Sequence, residues 1–340
     1  MKRKKIKKGF IIILLFSVLL LNLMGCGMKA KEPMTKTKIM LNTYVTITLY
    51  DHQDMGLIEE CFDLCEEYEQ MFSRTLADSE VSQFNLKETG EYEVSEELYE
   101  LLELSMEYSE LTGGVFDVTI EPVSSLWDFS SLEPVVPESD TLKKELENVG
   151  YEKLQLENGR VIKKNAATGI DLGAVAKGYI ADKLKEYLVS KGVESAIIDL
   201  GGNIVLIGGK PDGTEFSIGI QRPFEDRNEI IGTIALKDYA AVSSGIYERC
   251  FWEEGIFYHH ILNPQTGYPC ESDLVGVTIL APEATRADAL STTCFILGKE
   301  KGMELIDSLD GVYAVFIRKD GEIEYSKGLE ENFQVNKNHE

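Results

Sequence analysis

Two oxygen-bearing side chains, Asp288 and Thr292, stand four positions apart in Arg286-Ala287-Asp288-Ala289-Leu290-Ser291-Thr292. On a helix such positions share a face. A carboxylate beside a hydroxyl is a hard-oxygen pair suited to Mg²⁺, which takes its remaining ligands from water, main-chain carbonyls and phosphates. The same residues allow a plainer arrangement, in which Asp288 caps a turn or pairs with Arg286 and Thr292 only packs. A second stretch, Thr168 to Asp182, sets Gly169, Gly173, Ala174, Ala176 and Gly178 around one acid, Asp171, and one base, Lys177. Glycine lets main chain approach a ligand closely, and a helix N-terminus offers free N–H groups to an anion such as a nucleotide phosphate. The stretch has neither the Gly-Lys-Ser/Thr ending of a P-loop nor the G-x-G-x-x-G spacing. Asp171 as a helix cap, with small residues packing on a sheet, accounts for it as well. His259 and His260 are half of the four histidines. On a strand they point to opposite faces, so one of them can enter a given site, either as a general base or satisfied by backbone.

The elements that must carry these groups follow from periodicity and breakers. Thr43 to Tyr50 alternates as a strand, with Met40 just before it. Leu57 to Phe72 has the apolar spacing of an amphipathic helix, and Ser73 to Asn85 is a polar turn region. Ser95 caps a helix to about Leu111 that Thr112-Gly113-Gly114 stops. Val115 to Thr119 is a short strand, Pro122 to Pro137 a long irregular connection, and Thr141 to Val149 a short helix. Tyr151 to Lys164 is a hairpin turning at Asn158-Gly159. Beyond the small-residue stretch, a helix runs to Gly192. Strands follow at Ser195 to Leu200, Asn203 to Ile207, Phe216 to Gln221, Ile230 to Leu236, Ala240 to Ser244 and Leu274 to Leu280. Glu283 to Gly298 and Lys301 to Leu309 are helices, and Val312 to Tyr325 is a closing hairpin. Strands clustered by hairpins with helices between clusters predict an α+β fold, mainly antiparallel, rather than alternating βαβ units. No composition break divides residues 39–331, so one large domain is expected, with 332–340 as a polar tail.

With 340 residues, 44% of them hydrophobic, the chain can bury a large core. Its formal charge is −24, and because residues 1–25 carry six Lys/Arg and no acid, the remainder carries −30. So acidic a surface argues against nucleic acid as a partner. Any anionic ligand needs a local site that overcomes the overall field. Lys2 to Lys8 followed by apolar Phe10 to Leu23 has the form of a secretory leader. Leu23-Met24-Gly25-Cys26 resembles a bacterial lipobox, which implies cleavage after residue 25 and lipid on Cys26. Residues 26–38 would then be a tether holding the chain at the outer face of the cytoplasmic membrane. The other cysteines, Cys61, Cys65, Cys250, Cys270 and Cys294, are odd in number and irregular in spacing. They suggest neither a disulfide framework nor a zinc site.

Seven short blocks in order resemble the ApbE family of FAD-dependent FMN transferases. They are Phe72-Ser73 with Asp78-Ser79-Glu80 and Asn85; Thr112 to Thr119; Gly169 to Tyr179; Asp199-Leu200-Gly201-Gly202-Asn203; Ser243-Ser244-Gly245 with Tyr247; His260 to Gly267; and Ala287 to Thr292. They span about residues 40–298. The resemblance implies binding of FAD and Mg²⁺-dependent transfer of its FMN half to a threonine hydroxyl of an acceptor flavoprotein, as a phosphoester, with release of AMP. It implies metal ligation by the main-chain carbonyl of Ala174, the carboxylate of Asp288 and the hydroxyl of Thr292. Met40, Val115, Phe116, Asp117, Asp171, Lys177 and His260 would line the flavin nucleotide. His260 is the candidate to accept the incoming hydroxyl's proton, and Asp288 or Asp171 are alternatives. The family commonly places an aromatic where this chain has Thr75, so water could reach the flavin. FAD hydrolysis to FMN and AMP is therefore one alternative activity, and flavin binding without turnover is another.

Overall fold

A computed structural model describes residues 32–129, 131, 133–226, 229–329 and 333–335. The expected leader, Cys26 and the first part of the tether lie outside the described residues. Strands β1 (Met34–Met40) and β2 (Thr43–Leu49) form a hairpin whose two tip residues, Leu41 and Asn42, both have positive φ, 54° and 55°. Such a two-residue turn matches the twist of the strands it joins. Strand β1 takes in residues 34–38, which the sequence reading gave to the tether. Threonines alternate along it, and Thr35 and Thr37 meet Thr48 and Thr46 across the pair at 3.1 and 2.9 Å. The intervening Lys36 and Lys38 reach Glu59, and such charges suit an edge strand.

The hairpin begins an eight-stranded sheet in which every neighbour is antiparallel. Its order is β1, β2, β6 (Ala196–Leu200), β7 (Asn203–Ile207), β10 (Ala240–Gly245), β13 (Leu274–Ala281), β14 (Tyr313–Arg318) and β15 (Ile323–Tyr325). Every residue of β13 is buried. Three smaller sheets flank this one: β3 (Gly90–Glu93), β5 (Arg160–Lys163) and β4 (Leu154–Glu157); β8 (Phe216–Gln221) with β9 (Ile230–Leu236) and β16 (Phe333–Val335); and the hairpin of β11 (Cys250–Glu253) and β12 (Ile256–His259). Strand β16 corrects the expected polar tail from residue 332. Phe333 is buried against Tyr325 and closely approaches Gly232, and that contact draws the segment onto β9.

Helix α1 (Met55–Phe72) is capped by Asp54, whose carboxylate accepts from the Gly56 amide at 2.9 Å, and it buries Ile58, Cys61, Phe62, Cys65 and Phe72. Burial raises both thiols to about 12, so they serve as apolar filling. Three segments differ from expectation. Within the expected turn region, Ser79 caps a short helix α2 (Glu80–Asn85). Residues 115–119 form turns rather than a strand, because Asp117 Oδ1 accepts from both the amide and the hydroxyl of Thr119, at 2.8 and 2.6 Å. The proline-marked connection opens with α4 (Glu121–Trp127), whose Pro122 sits in the first turn, where its missing N–H costs nothing. Helix α3 (Glu96–Leu111) starts at the expected Ser95 cap, and α5 is Ser139–Leu146.

The site rests on α6 (Ala176–Ser190) and α7 (Ala284–Asp307), which pack together on the large sheet. Helix α7 is broken at Gly298 (φ 77°, ψ 173°), where the sequence reading separated two helices. Asp182 on α6 caps α7, accepting from the amides of Ala284 and Thr285, each at 2.8 Å, and from the Thr285 hydroxyl at 2.6 Å. The described residues from Pro33 onward form one compact unit.

Candidate active site

Where α6 meets α7, no side chain separates the backbones. A Cβ on Gly178 would lie 2.4 Å from the Ala284 carbonyl oxygen and 2.8 Å from Asp288 Cβ, so only glycine permits this approach. The Gly178 amide uses the proximity to donate to Asp288 Oδ2 at 2.9 Å. In a continuing helix that amide would bond the Ala174 carbonyl, four residues back. Here the bonds run from Ala176 to Leu172 and from Tyr179 to Val175, and the Ala174 carbonyl is passed over. A main-chain oxygen is thus left available at the start of α6.

Asp288 is 4% exposed, and burial raises its pKa, opposed chiefly by the positive charge of Lys177. Thr292, one turn on, lies 3.4 Å from the hydroxyl of Ser244, which in turn shares a 2.7 Å hydrogen bond with Ser291. Carboxylate, hydroxyls and carbonyl make an all-oxygen donor set, which fits Mg²⁺. Among the described residues no group of three or more His, Cys, Asp or Glu could hold a metal.

Lys177 donates from Nζ to Asn203 Oδ1 at 2.8 Å. Asn203 is fully buried, and its Nδ2 has no partner. It faces the Asp288 carboxylate and favours its ionised form, yet stops short of hydrogen-bond geometry. His260 lies within electrostatic reach of Lys177. Its imidazole is pushed down to about 3, first by burial and then by the nearby charges of Arg249 and Lys177. His260 Nδ1 lies 3.3 Å from the Arg249 carbonyl, which can only accept, so Nδ1 carries the hydrogen and Nε2 has the free lone pair. His259 takes the opposite orientation, buried against Phe257 and Phe295, with its pKa lowered to about 4 by burial.

The other expected nucleotide residues surround the turns before α6. Asp171 accepts from Arg74 Nε at 2.9 Å, from Ser124 Oγ at 2.7 Å and from the Gly173 amide at 2.9 Å. Its own amide donates to the Val118 carbonyl at 2.9 Å, and this ties Val115, Phe116 and Asp117 to the same place. Phe116 is buried in the core. The Asp117 carboxylate is taken up by Thr119 and by the Tyr151 amide at 3.0 Å, so it braces the loop. Met40 is buried at the end of β1, and Thr43, just past the tip, touches Gly201. A groove of about 910 Å³ beside Met40 is lined by Asp63, Glu66, Glu67 and Glu69 against Lys38. On charge alone it is unsuited to a dinucleotide's phosphates.

Sequence reasoning missed Arg74, Asn203 and Asp182 as individual contributors. Arg74 and Asn203 lie inside or beside quoted blocks, but nothing local says which carboxylate or amine each will meet. Asp182 had one usable signal, its position four residues after Gly178 on the same helical face.

An all-antiparallel main sheet braced by two helices, with oxygen donors and a lysine gathered at the helix junction, defines an α+β protein with a polar site between its two packed helices. A model of the ApbE family matches residues 41–317, and the chain belongs to that family. The FAD:protein FMN transferase of Treponema pallidum is 32% identical over 332 residues, 92% of each chain. The one from Klebsiella pneumoniae is 31% identical over 289 residues, 84% of this chain and 89% of that one. Among solved structures, the flavin transferase ApbE of Vibrio cholerae superimposes with a TM-score of 0.80 at 29% identity, covering 88% of this chain and 99% of that one. The ApbE protein of Thermotoga maritima gives 0.81 at 33% identity, with the same coverage.

Proposed function

We propose that the chain is an FAD:protein FMN transferase. It binds FAD, moves the FMN half to a threonine hydroxyl of an acceptor flavoprotein as a phosphoester and releases AMP. The observation that carries the reading is the Gly178 amide turned onto Asp288, which frees the Ala174 carbonyl next to a buried carboxylate and a lysine. Bound Mg²⁺, held by the Ala174 carbonyl, Asp288 and Thr292, would supply charge neutralisation across the pyrophosphate.

The remaining work falls to the chain itself. Lys177, held on Asn203, offers its charge to a phosphate oxygen. The acceptor's hydroxyl oxygen forms a bond to the FMN-side phosphorus while the anhydride bond to the AMP phosphate breaks. Neutral His260 Nε2 is positioned to take the hydroxyl proton, and AMP leaves with the bridging oxygen. The acid-rich exterior contributes nothing to phosphate binding, so the local lysine is needed.

Water in place of the hydroxyl gives FMN and AMP. Thr75 favours this second reading: it is exposed, its hydroxyl is turned back on Ser73 Oγ at 3.1 Å, and it brings no ring to cover a flavin. The test is to incubate the protein with FAD and MgCl₂, with and without a threonine-bearing acceptor, following AMP and the acceptor's mass. AMP together with an FMN adduct supports transfer, and AMP without acceptor supports hydrolysis. No AMP in either arm sinks both and leaves a flavin-binding lipoprotein. Attachment to the outer face of the membrane through lipid at Cys26 belongs to the same proposal.

A further inference from the structure

The transfer reading leaves Asn203 without a role of its own beyond holding Lys177. Its orientation is fixed by chemistry, since Lys177 Nζ can only donate and the atom facing it at 2.8 Å must be the amide oxygen. Nδ2 therefore points the other way, into a buried position with no partner, facing Asp288. The backbone that presents it is rigid. Gly201 and Gly202 turn at φ 69° and 102°, Asp199 Oδ1 accepts the Gly202 amide at 3.1 Å, and Asn203 pairs with Val242 of β10 as the first residue of β7. Asp288 in the free chain has one oxygen committed to Gly178.

We infer that Asn203 is a positioning residue for the transfer reaction: its Nδ2 is a preset donor that Asp288 engages when it turns to bind its cation, while Oδ1 keeps Lys177 aimed at the substrate. One amide thereby couples the carboxylate and the ammonium, and neither can shift without the other losing a partner. Side chains that hydrogen-bond a metal-ligating carboxylate typically change activity or metal affinity by about 10- to 100-fold when altered.

This inference rests on the proposed function, and wild-type AMP release from FAD is the control that separates the two failures. Asn203→Asp keeps an oxygen for Lys177 and replaces the N–H donor with an anion. It is expected to lower kcat by about 10- to 100-fold with the FAD KM nearly unchanged. Asn203→Ser reaches neither neighbour and is expected to lower kcat and raise the FAD KM together. The amide can also be read without turnover. In wild-type protein labelled with ¹⁵N-asparagine and free of FAD, the Asn203 side-chain signal, assigned by its absence from either variant, should move as MgCl₂ is added. Wild-type kcat in Asn203→Asp would overturn the inference, as would an Asn203 amide signal indifferent to MgCl₂. So would losses in both variants that merely track a fall in melting temperature. If wild-type protein releases no AMP, the functional proposal fails instead.

Discussion

Replacing Gly178 with alanine tests whether the contact between α6 and α7 builds the site. The new methyl would stand 2.4 Å from the Ala284 carbonyl oxygen, where ordinary contact begins near 3.4 Å, so the helices must part by about 1 Å. Such overpacking costs about 1–3 kcal/mol, and losing the hydrogen bond from the Gly178 amide to Asp288 costs about 1.5–3 kcal/mol more. Alanine's better helix propensity returns about 1 kcal/mol. The net loss is about 1.5–5 kcal/mol, which for a chain of this size lowers the melting temperature by about 2–8 °C. The functional effect should be larger, because misplacing a catalytic group by about 1 Å costs about 10²-fold in rate. Scanning calorimetry and AMP release from FAD measure the two effects on one preparation. A G178A protein with the wild-type melting temperature and wild-type rate would refute the reasoning, since the backbone approach would then set neither stability nor the site.

Other parts of the structure make independent predictions. Glu80 accepts from the amide and the hydroxyl of Ser95, both at 2.6 Å, so Glu80→Ala should cost about 1.5–3 kcal/mol in urea unfolding while the FAD KM stays constant. Trp127 is fully buried, stacks on Phe129 and donates from Nε1 to the Gly267 carbonyl at 2.8 Å. Trp127→Ala should destabilise by about 3–5 kcal/mol, read by near-UV circular dichroism during unfolding. His259 and His260 titrate at about 4 and about 3 in the folded chain, against about 6.5 when unfolded. Between those values the unfolded chain binds more protons, so these residues cost stability as the pH falls below about 6.5 and nothing above about 7.5. His259→Phe should therefore lose less stability than wild type between pH 7.5 and 4.5 in parallel urea titrations. If the leader is processed as proposed, Cys26→Ser should move the chain from the membrane fraction to the soluble one, followed by fractionation and immunoblot.

The sequence by itself determined the elements whose signals are local. Ser95 with Glu96 and Glu97 started a helix where the structure starts it, Asn158-Gly159 turned a hairpin, and Gly192 ended α6 at φ 85°. Such caps and turns are decided within a few residues of chain. The ordered blocks, read as a resemblance, also pointed to the α+β fold and to the family. Tertiary contacts decided the rest. Strand β1 looked like tether because its threonines and lysines are polar, and β16 looked like tail because it is only three residues long; they exist because β2 and β9 offer unpaired edges. Asp117, expected beside the nucleotide, also accepts from Thr119 and from Tyr151, the latter 34 residues away. At the site, Asp288 and Thr292 were legible as a helical pair. The availability of the Ala174 carbonyl, the locking of Asn203 by Lys177 and the capping of α7 by Asp182 each depend on groups more than 25 residues apart in sequence or on a backbone bond diverted by such a group. Short-range patterns carry no information about those distances. They were set when Gly178 let two helices come close enough for a main-chain amide to choose a carboxylate over its own helix.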